Sequence, residues 1–139
     1  MKTALMIAAL VLTLASGAKA LTVNLADIAG KTNLTVLKEV NLQNTKKKVL
    51  ADAKGISIYT FDMDSTNTSV CKGSCLRVWP PLEALSTSVV LPPYSTIMGN
   101  NGKLQLTLNG LPLYYFQNDK VPSDIFGQYP NWQLVLIKE

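Results

Sequence analysis

Histidine is absent from the chain, and cysteine occurs only twice. Without histidine the commonest general base and the commonest metal ligand are both missing. Covalent haem attachment through Cys-x-x-Cys-His is excluded for the same reason. No glycine-rich phosphate-cradling loop is present among the 8 glycines, and no nucleophile stands in recognisable company with a base. Charge is also sparse, with 13 basic and 9 acidic residues for a net +4. That falls to +2 once Lys2 and Lys19 are set aside, too little to argue for a nucleic-acid partner. The one dense basic run, Lys46-Lys47-Lys48, lacks interleaved aromatics and reads as a solvated strand entrance or edge guard. Asp62-x-Asp64-x-Thr66-Asn67 imitates the start of a calcium loop, but its twelfth position is Gly73 instead of a bidentate Glu.

Long hydrophobic runs are confined to one place. Lys2, the apolar stretch Ala4 to Ala15 and the small-x-small triplet Ala18-Lys19-Ala20 have the order of a secretory signal peptide, so residues 1–20 are expected to be removed after Ala20. The run is shorter than the roughly 20 apolar residues that span a bilayer. No transmembrane segment is expected after cleavage, and no Cys lies near the site to accept lipid. The expected product is exported, periplasmic or extracellular, and soluble.

What the remainder does contain is a repeat. Gly55-Ile56-Ser57-Ile58-Tyr59-Thr60-Phe61-Asp62-Met63-Asp64 recurs as Gly110-Leu111-Pro112-Leu113-Tyr114-Tyr115-Phe116-Gln117-Asn118-Asp119. Gly, Tyr, Phe and Asp recur at the constant offset of 55 that separates Gly110 from Gly55, so the chain is a tandem duplication. Leu104 to Leu108 alternates with period two, Asn109-Gly110 supplies a two-residue hairpin signal, and Leu111 to Phe116 runs back. In the first copy, Val49-Leu50-Ala51 and Ile56 to Phe61 flank a looser turn at Asp52 to Gly55. A Trp-bearing segment follows each hairpin, Arg77-Val78-Trp79 in one copy and Trp132 to Ile137 in the other.

These patterns predict a mainly β protein, with two tandem β-hairpin or three-stranded repeats packed pseudo-symmetrically as a small sandwich or barrel. Residues 21–45 are expected to add an N-terminal strand or two, and 46–139 to form one β domain of two repeats, 46–95 and 96–139. Within each return strand, Tyr59 and Phe61 face away from Ile56 and Ile58, and Tyr114 and Phe116 face away from Leu111 and Leu113. Both faces are apolar, so each return strand is expected to be covered on both sides. Pro112 cannot donate to a ladder, which places it without a ladder partner near the strand start.

Leu50-x-Asp52, Gly55, Tyr59-x-Phe61-x-x-Asp64, Ser69-x-Cys71-x-Gly73-x-Cys75 and Trp79-Pro80-Pro81-Leu82 are followed by Asn101-Gly102, Asn109-Gly110-x-Pro112-Leu113-Tyr114-x-Phe116-x-x-Asp119, Asp124, Gly127-Gln128 and Trp132. In this order they resemble the bacterial secreted-repeat family, named for a Tyr-x-aromatic-x-x-Asp motif in tandem copies. The resemblance runs over residues 48 to 137. It implies an extracytoplasmic protein of the bacterial envelope, often lipid-anchored, of no established biochemical role.

The candidate site residues are therefore the motif and its aromatic company: Tyr59, Phe61, Asp64, Trp79, Tyr114, Phe116, Asp119 and Trp132. A Tyr with its ring in the core needs a partner for its hydroxyl, and the Asp in the turn beyond the same strand is the expected acceptor. The alternative makes these tyrosines and aspartates a ligand-binding or proton-handling site across the pseudo-dyad. Cys71 and Cys75, four apart in an exported chain, are expected to form a local disulfide. A redox dithiol, or a copper(I) site of Cys71, Cys75, Met63 and Met98, is the competing chemistry for soft sulfur ligands. The function expected is a secreted or periplasmic non-enzymatic β module without a cofactor, binding an unknown envelope protein or small ligand. The alternative is an extracytoplasmic thiol-redox or copper-handling protein.

Overall fold

The computed structural model describes residues 21–139, so the expected signal peptide lies outside the described residues. In chain order the elements are β1 (Thr22–Asn24), α1 (Leu25–Ile28), β2 (Thr35–Leu42), β3 (Thr45–Asp52), β4 (Tyr59–Phe61), α2 (Ser74–Val78), β5 (Tyr94–Met98), β6 (Leu104–Leu108), β7 (Leu111–Pro112), β8 (Trp132–Leu134) and β9 (Leu136–Lys138). The protein is mainly β. The strands form three sheets, ordered β1-β9-β3-β2, β4-β8 and β5-β6-β7, which do not close into a barrel.

The longest ladder is the β2–β3 hairpin, paired from Thr35↔Asp52 to Leu42↔Thr45. Its turn residues Gln43 and Asn44 both have positive φ, 50° and 65°. That is the demand of a two-residue turn whose twist matches the flanking strands. β3 lies between β9 and β2 and meets β9 at Val49↔Leu136; Lys46, Lys47 and Lys48, at its start, are exposed, and Lys48 pairs with Glu139. The run is therefore a solvated strand entrance, as one of its two expected readings had it, and not the guard of a sheet edge.

The two repeat hairpins are built differently at their turns. In the first, the Asp52 carboxylate accepts the amides of Lys54 and Ile56, each at 2.9 Å, and closes the chain onto the Ala51↔Ser57 bridge. In the second, Asn109 and Gly110 take φ of 52° and 82° between Leu108 and Leu111. Pro112 faces Thr107 in register, where no ladder partner was expected; β7 ends there, and pairing resumes with the Leu113 amide donating to Leu106 O at 3.0 Å.

The return strands meet each other. The Tyr59 amide donates to Tyr114 O at 2.8 Å and the Tyr114 amide donates to Tyr59 O at 2.9 Å. This reciprocal pair is the pattern of two antiparallel strands related by a local two-fold. Each strand is covered on both faces. Ile58 and Leu113 are buried in one cluster with Leu50, Leu106, Leu108 and Val135. Tyr59, Tyr114 and Phe116 are buried in a second cluster with Val49, Cys71, Trp79, Trp132 and Leu134.

The third segments are exchanged between copies. β8 of the second repeat pairs with β4 of the first, Tyr59↔Leu134 and Phe61↔Trp132. Conversely, Pro81 of the first repeat bridges Tyr114 of the second, and Pro80 O accepts the Tyr115 amide at 2.7 Å. The two repeats are interlaced through their third segments as well as packed together. The segment after Trp132 also breaks at Val135, so that β8 serves β4 while β9 serves β1 and β3.

Candidate functional site

Tyr59 and Tyr114 are fully buried, and the buried end of a phenol requires a hydrogen-bond partner. The Tyr59 hydroxyl donates to Asp119 Oδ2 at 2.6 Å, and the Tyr114 hydroxyl donates to Asp64 Oδ2 at 2.6 Å. Each tyrosine is thus held by the aspartate of the other repeat, where the sequence suggested its own. The reason is the path of the loop after each strand. The Asp64 amide turns back onto Phe61 O at 3.0 Å, and the loop then lays Asn67 on Gly110, its amide donating to Gly110 O at 2.7 Å. The chain beyond Asp64 is carried over the neighbouring hairpin, beside Tyr114.

Each aspartate uses its second oxygen to hold a loop. Asp64 Oδ1 accepts the Val70 amide and Asp119 Oδ1 accepts the Phe126 amide, both at 2.8 Å. The copies differ in how they complete the tyrosine's shell. The Gly127 amide donates to Tyr59 Oη at 3.0 Å, whereas Ser69 Oγ hydrogen-bonds Tyr114 Oη. Gly127 is required sterically, because a Cβ there would stand 2.6 Å from Tyr59 Cζ and 2.8 Å from Phe116 Cβ.

The aromatics repeat the exchange. Trp79 and Trp132 stack on each other with centroids 3.8 Å apart and planes 1° apart. Phe61 of the first repeat stacks on Trp132 of the second at 4.2 Å, and Phe116 of the second lies on Trp79 of the first at 4.7 Å. Tyr59 meets Trp79 edge-on at 5.5 Å, as Tyr114 meets Trp132 at 5.2 Å. Edge-to-face and offset pairs of this kind add to the energy of area burial.

Burial dominates the electrostatics. It pushes the Tyr59 and Tyr114 hydroxyls well above the usual phenol range, and the adjoining carboxylates push the same way. Burial also raises the Asp64 carboxyl, against the stabilising bonds from Tyr114 and the Val70 amide. Tyr59, Trp79, Tyr114, Phe116 and Trp132 share one buried cluster with Phe61 half-buried at its margin, and Asp64 and Asp119 join it through their bonds to the tyrosines. Clefts of about 440 Å³, lined by Thr22, Asp27 and Pro93 among others, and about 670 Å³, lined by Asn41, Lys47 and Gln128 among others, lie elsewhere.

Cys71 and Cys75 form a disulfide with Cα atoms 5.3 Å apart, Cys71 being buried against the aromatic cluster and Cys75 lying in α2. That loop is tied by Asn100, whose side-chain amide donates to Ser69 O and Cys71 O, each at 3.0 Å. With both sulfurs committed to one bond, neither is a thiolate available to copper(I). Met63 and Met98 are exposed and do not join the cysteines in the cluster.

Two sets of polar contacts, one at Tyr115 and one at Lys38, are not readable from residue order. The Tyr115 hydroxyl donates to Asp52 Oδ2 at 2.7 Å, tying the second repeat's strand to the first repeat's turn. The Lys38 ammonium donates to Ser57 Oγ and Pro122 O, each at 2.6 Å, while the buried Ser57 hydroxyl donates to Asp124 O at 2.6 Å. Burial lowers the Lys38 amine, against the attraction of Asp119, Asp124 and Asp52. Lys38 beside Glu39 in the otherwise apolar run Val36 to Val40 was the available signal, but it did not name its partners.

No curated protein and no solved structure shows significant similarity to the chain. A family model described as a secreted repeat of unknown function matches it twice, over residues 42–83 and 95–133. The two matched segments bracket the two hairpins and their exchanged tryptophans, and the chain belongs to this secreted-repeat family.

Proposed function

We propose that the protein acts outside the cytoplasm as a non-enzymatic β module of the bacterial envelope, a rigid frame that presents its surface to an envelope partner or small ligand. One observation carries this reading: the repeat's signature tyrosines and aspartates are buried and spent on each other across the two copies. A motif used in that way holds the fold together, and it leaves recognition to the loops and edges around it. The disulfide suits an oxidising compartment. The family description and the leader-like first twenty residues support export, with Leu21 as the expected new N-terminus.

The test is the intact mass of the protein recovered from the envelope fraction, with and without a thiol-blocking reagent and then after copper(I) addition. Expected are a chain beginning at Leu21, no thiol labelling before strong reduction, and no bound copper. Ready reduction or stoichiometric copper would replace this reading with the thiol-redox or copper-handling one centred on Cys71 and Cys75.

A further inference from the structure

The exchanged aromatics include the side chains most easily oxidised by one electron. Phenylalanine is too hard to oxidise to carry an electron hole, whereas tryptophan and tyrosine are the side chains that can. Those two types form a continuous chain. Buried Tyr59 and Tyr114 each meet one member of the Trp79–Trp132 stack, at 5.5 and 5.2 Å, and the stacked rings are parallel at 3.8 Å. Tyr129, which is 53% exposed, meets Trp79 edge-on at 6.2 Å and gives the chain an outlet at the surface. Phe61 and Phe116 cover the two outer faces of the tryptophan pair.

The terminal tyrosines are equipped for the proton that must leave when a phenol is oxidised. A neutral tyrosyl radical forms at accessible potential only if its proton has somewhere to go, and in a dry site that requires a hydrogen-bonded base. Asp119 and Asp64 stand at 2.6 Å from the two phenol oxygens, as strong charge-assisted bonds require. Burial makes Asp64 a better base than a surface carboxylate.

We propose that the Tyr129, Trp79–Trp132 and Tyr59/Tyr114 array is a hole-conducting relay that takes up single oxidising equivalents and parks them on a buried tyrosine. A diffusible one-electron oxidant, such as an oxygen-derived or carbonate radical, gains one electron at Tyr129, whose exposed phenol gives its proton to water and takes one back as Trp79 refills it. The vacancy passes through the tryptophan stack to Tyr59 or Tyr114. That tyrosine supplies the electron and its O–H bond breaks, the proton moving to Asp119 or Asp64 to leave a neutral tyrosyl radical beside a carboxylic acid. An enediolate reductant of the ascorbate class returns the electron by the same path, and the proton goes back to the phenol oxygen. This activity goes beyond the scaffold role and does not depend on it.

The experiment uses the whole exported chain, oxidised with photogenerated ruthenium(III) tris-bipyridine and freeze-quenched for electron paramagnetic resonance. A long-lived neutral tyrosyl signal is expected, with little dityrosine cross-linking and slower formation in deuterium oxide. Tyr129→Phe, a change at an exposed ring, should delay the signal without removing it. Tyr59→Phe/Tyr114→Phe, with folding checked by near-ultraviolet circular dichroism, should abolish it. A signal that Tyr129→Phe removes, accompanied by dityrosine in the wild type, would overturn the proposal. So would a signal unchanged in a folded double variant.

Discussion

The hydroxyl of Tyr59 is bound by Asp119, sixty residues away, and the reciprocal bond joins Tyr114 to Asp64. Together with the exchange of β8 and of the Trp79–Pro81 segment, these bonds make each repeat complete the other's core.

Neither repeat should therefore fold alone. A chain cut between the copies, near residue 90, leaves β4 without β8 and Trp79 without Trp132. Each half is expected to lack a cooperative unfolding transition, and the mixed halves to recover one, as read by circular dichroism and urea titration.

The duplication, the hairpin at Asn109-Gly110 and the two-sided burial of the return strands were legible from residue order and alternation. The pairing partner was not. A constant offset of 55 states which residues are equivalent, and a tyrosine held by its own copy's aspartate has the same spacing as one held by the other's. Only the loop path, Asn67 over Gly110, decides between them. The β2–β3 hairpin was hidden for another reason, since Gln43-Asn44 carries no glycine although both residues take positive φ. The contacts of Lys38 and Tyr115 join segments too distant for any local pattern to connect.

Gly127→Ala should destabilise the protein by about 1–3 kcal/mol, the cost of overpacking a tight core. The added Cβ would meet Tyr59 Cζ at 2.6 Å, so either the phenol moves from Asp119 or the Gly127 amide loses its bond to it. Denaturant midpoints, with a shift in near-ultraviolet circular dichroism, measure both effects.

Stability should fall at alkaline pH. The phenols of Tyr59, Tyr94, Tyr114 and Tyr115 are all raised in the folded protein, chiefly by burial. Below the unfolded value of about 10 each phenol is neutral in both states, and its contribution is whole. Above it the unfolded chain ionises first, so stability declines as pH rises toward the folded values. Urea unfolding between about pH 9 and 11 should show this decline, with phenolate absorbance appearing together with unfolding, and Tyr115→Phe should make the slope shallower.

Replacing Cys71 and Cys75 with alanine should cost about 2 kcal/mol in the chain-entropy model for so short a loop. The loss should be felt at Tyr114 more than at Tyr59, because Ser69, tied by Asn100 beside Cys71, belongs to the Tyr114 shell. Amide hydrogen exchange resolves the two sides, with Val70 opening more readily and Phe126 little changed.

The exchange of partners is tested most directly by two double-mutant cycles in urea unfolding, Tyr59→Phe with Asp119→Ala and Tyr59→Phe with Asp64→Ala. Contact pairs couple by roughly 0.5–3 kcal/mol, and independent sites add within about 0.5 kcal/mol. The interlaced structure predicts coupling in the first cycle and additivity in the second. Coupling of Tyr59 to Asp64, with none to Asp119, would contradict it.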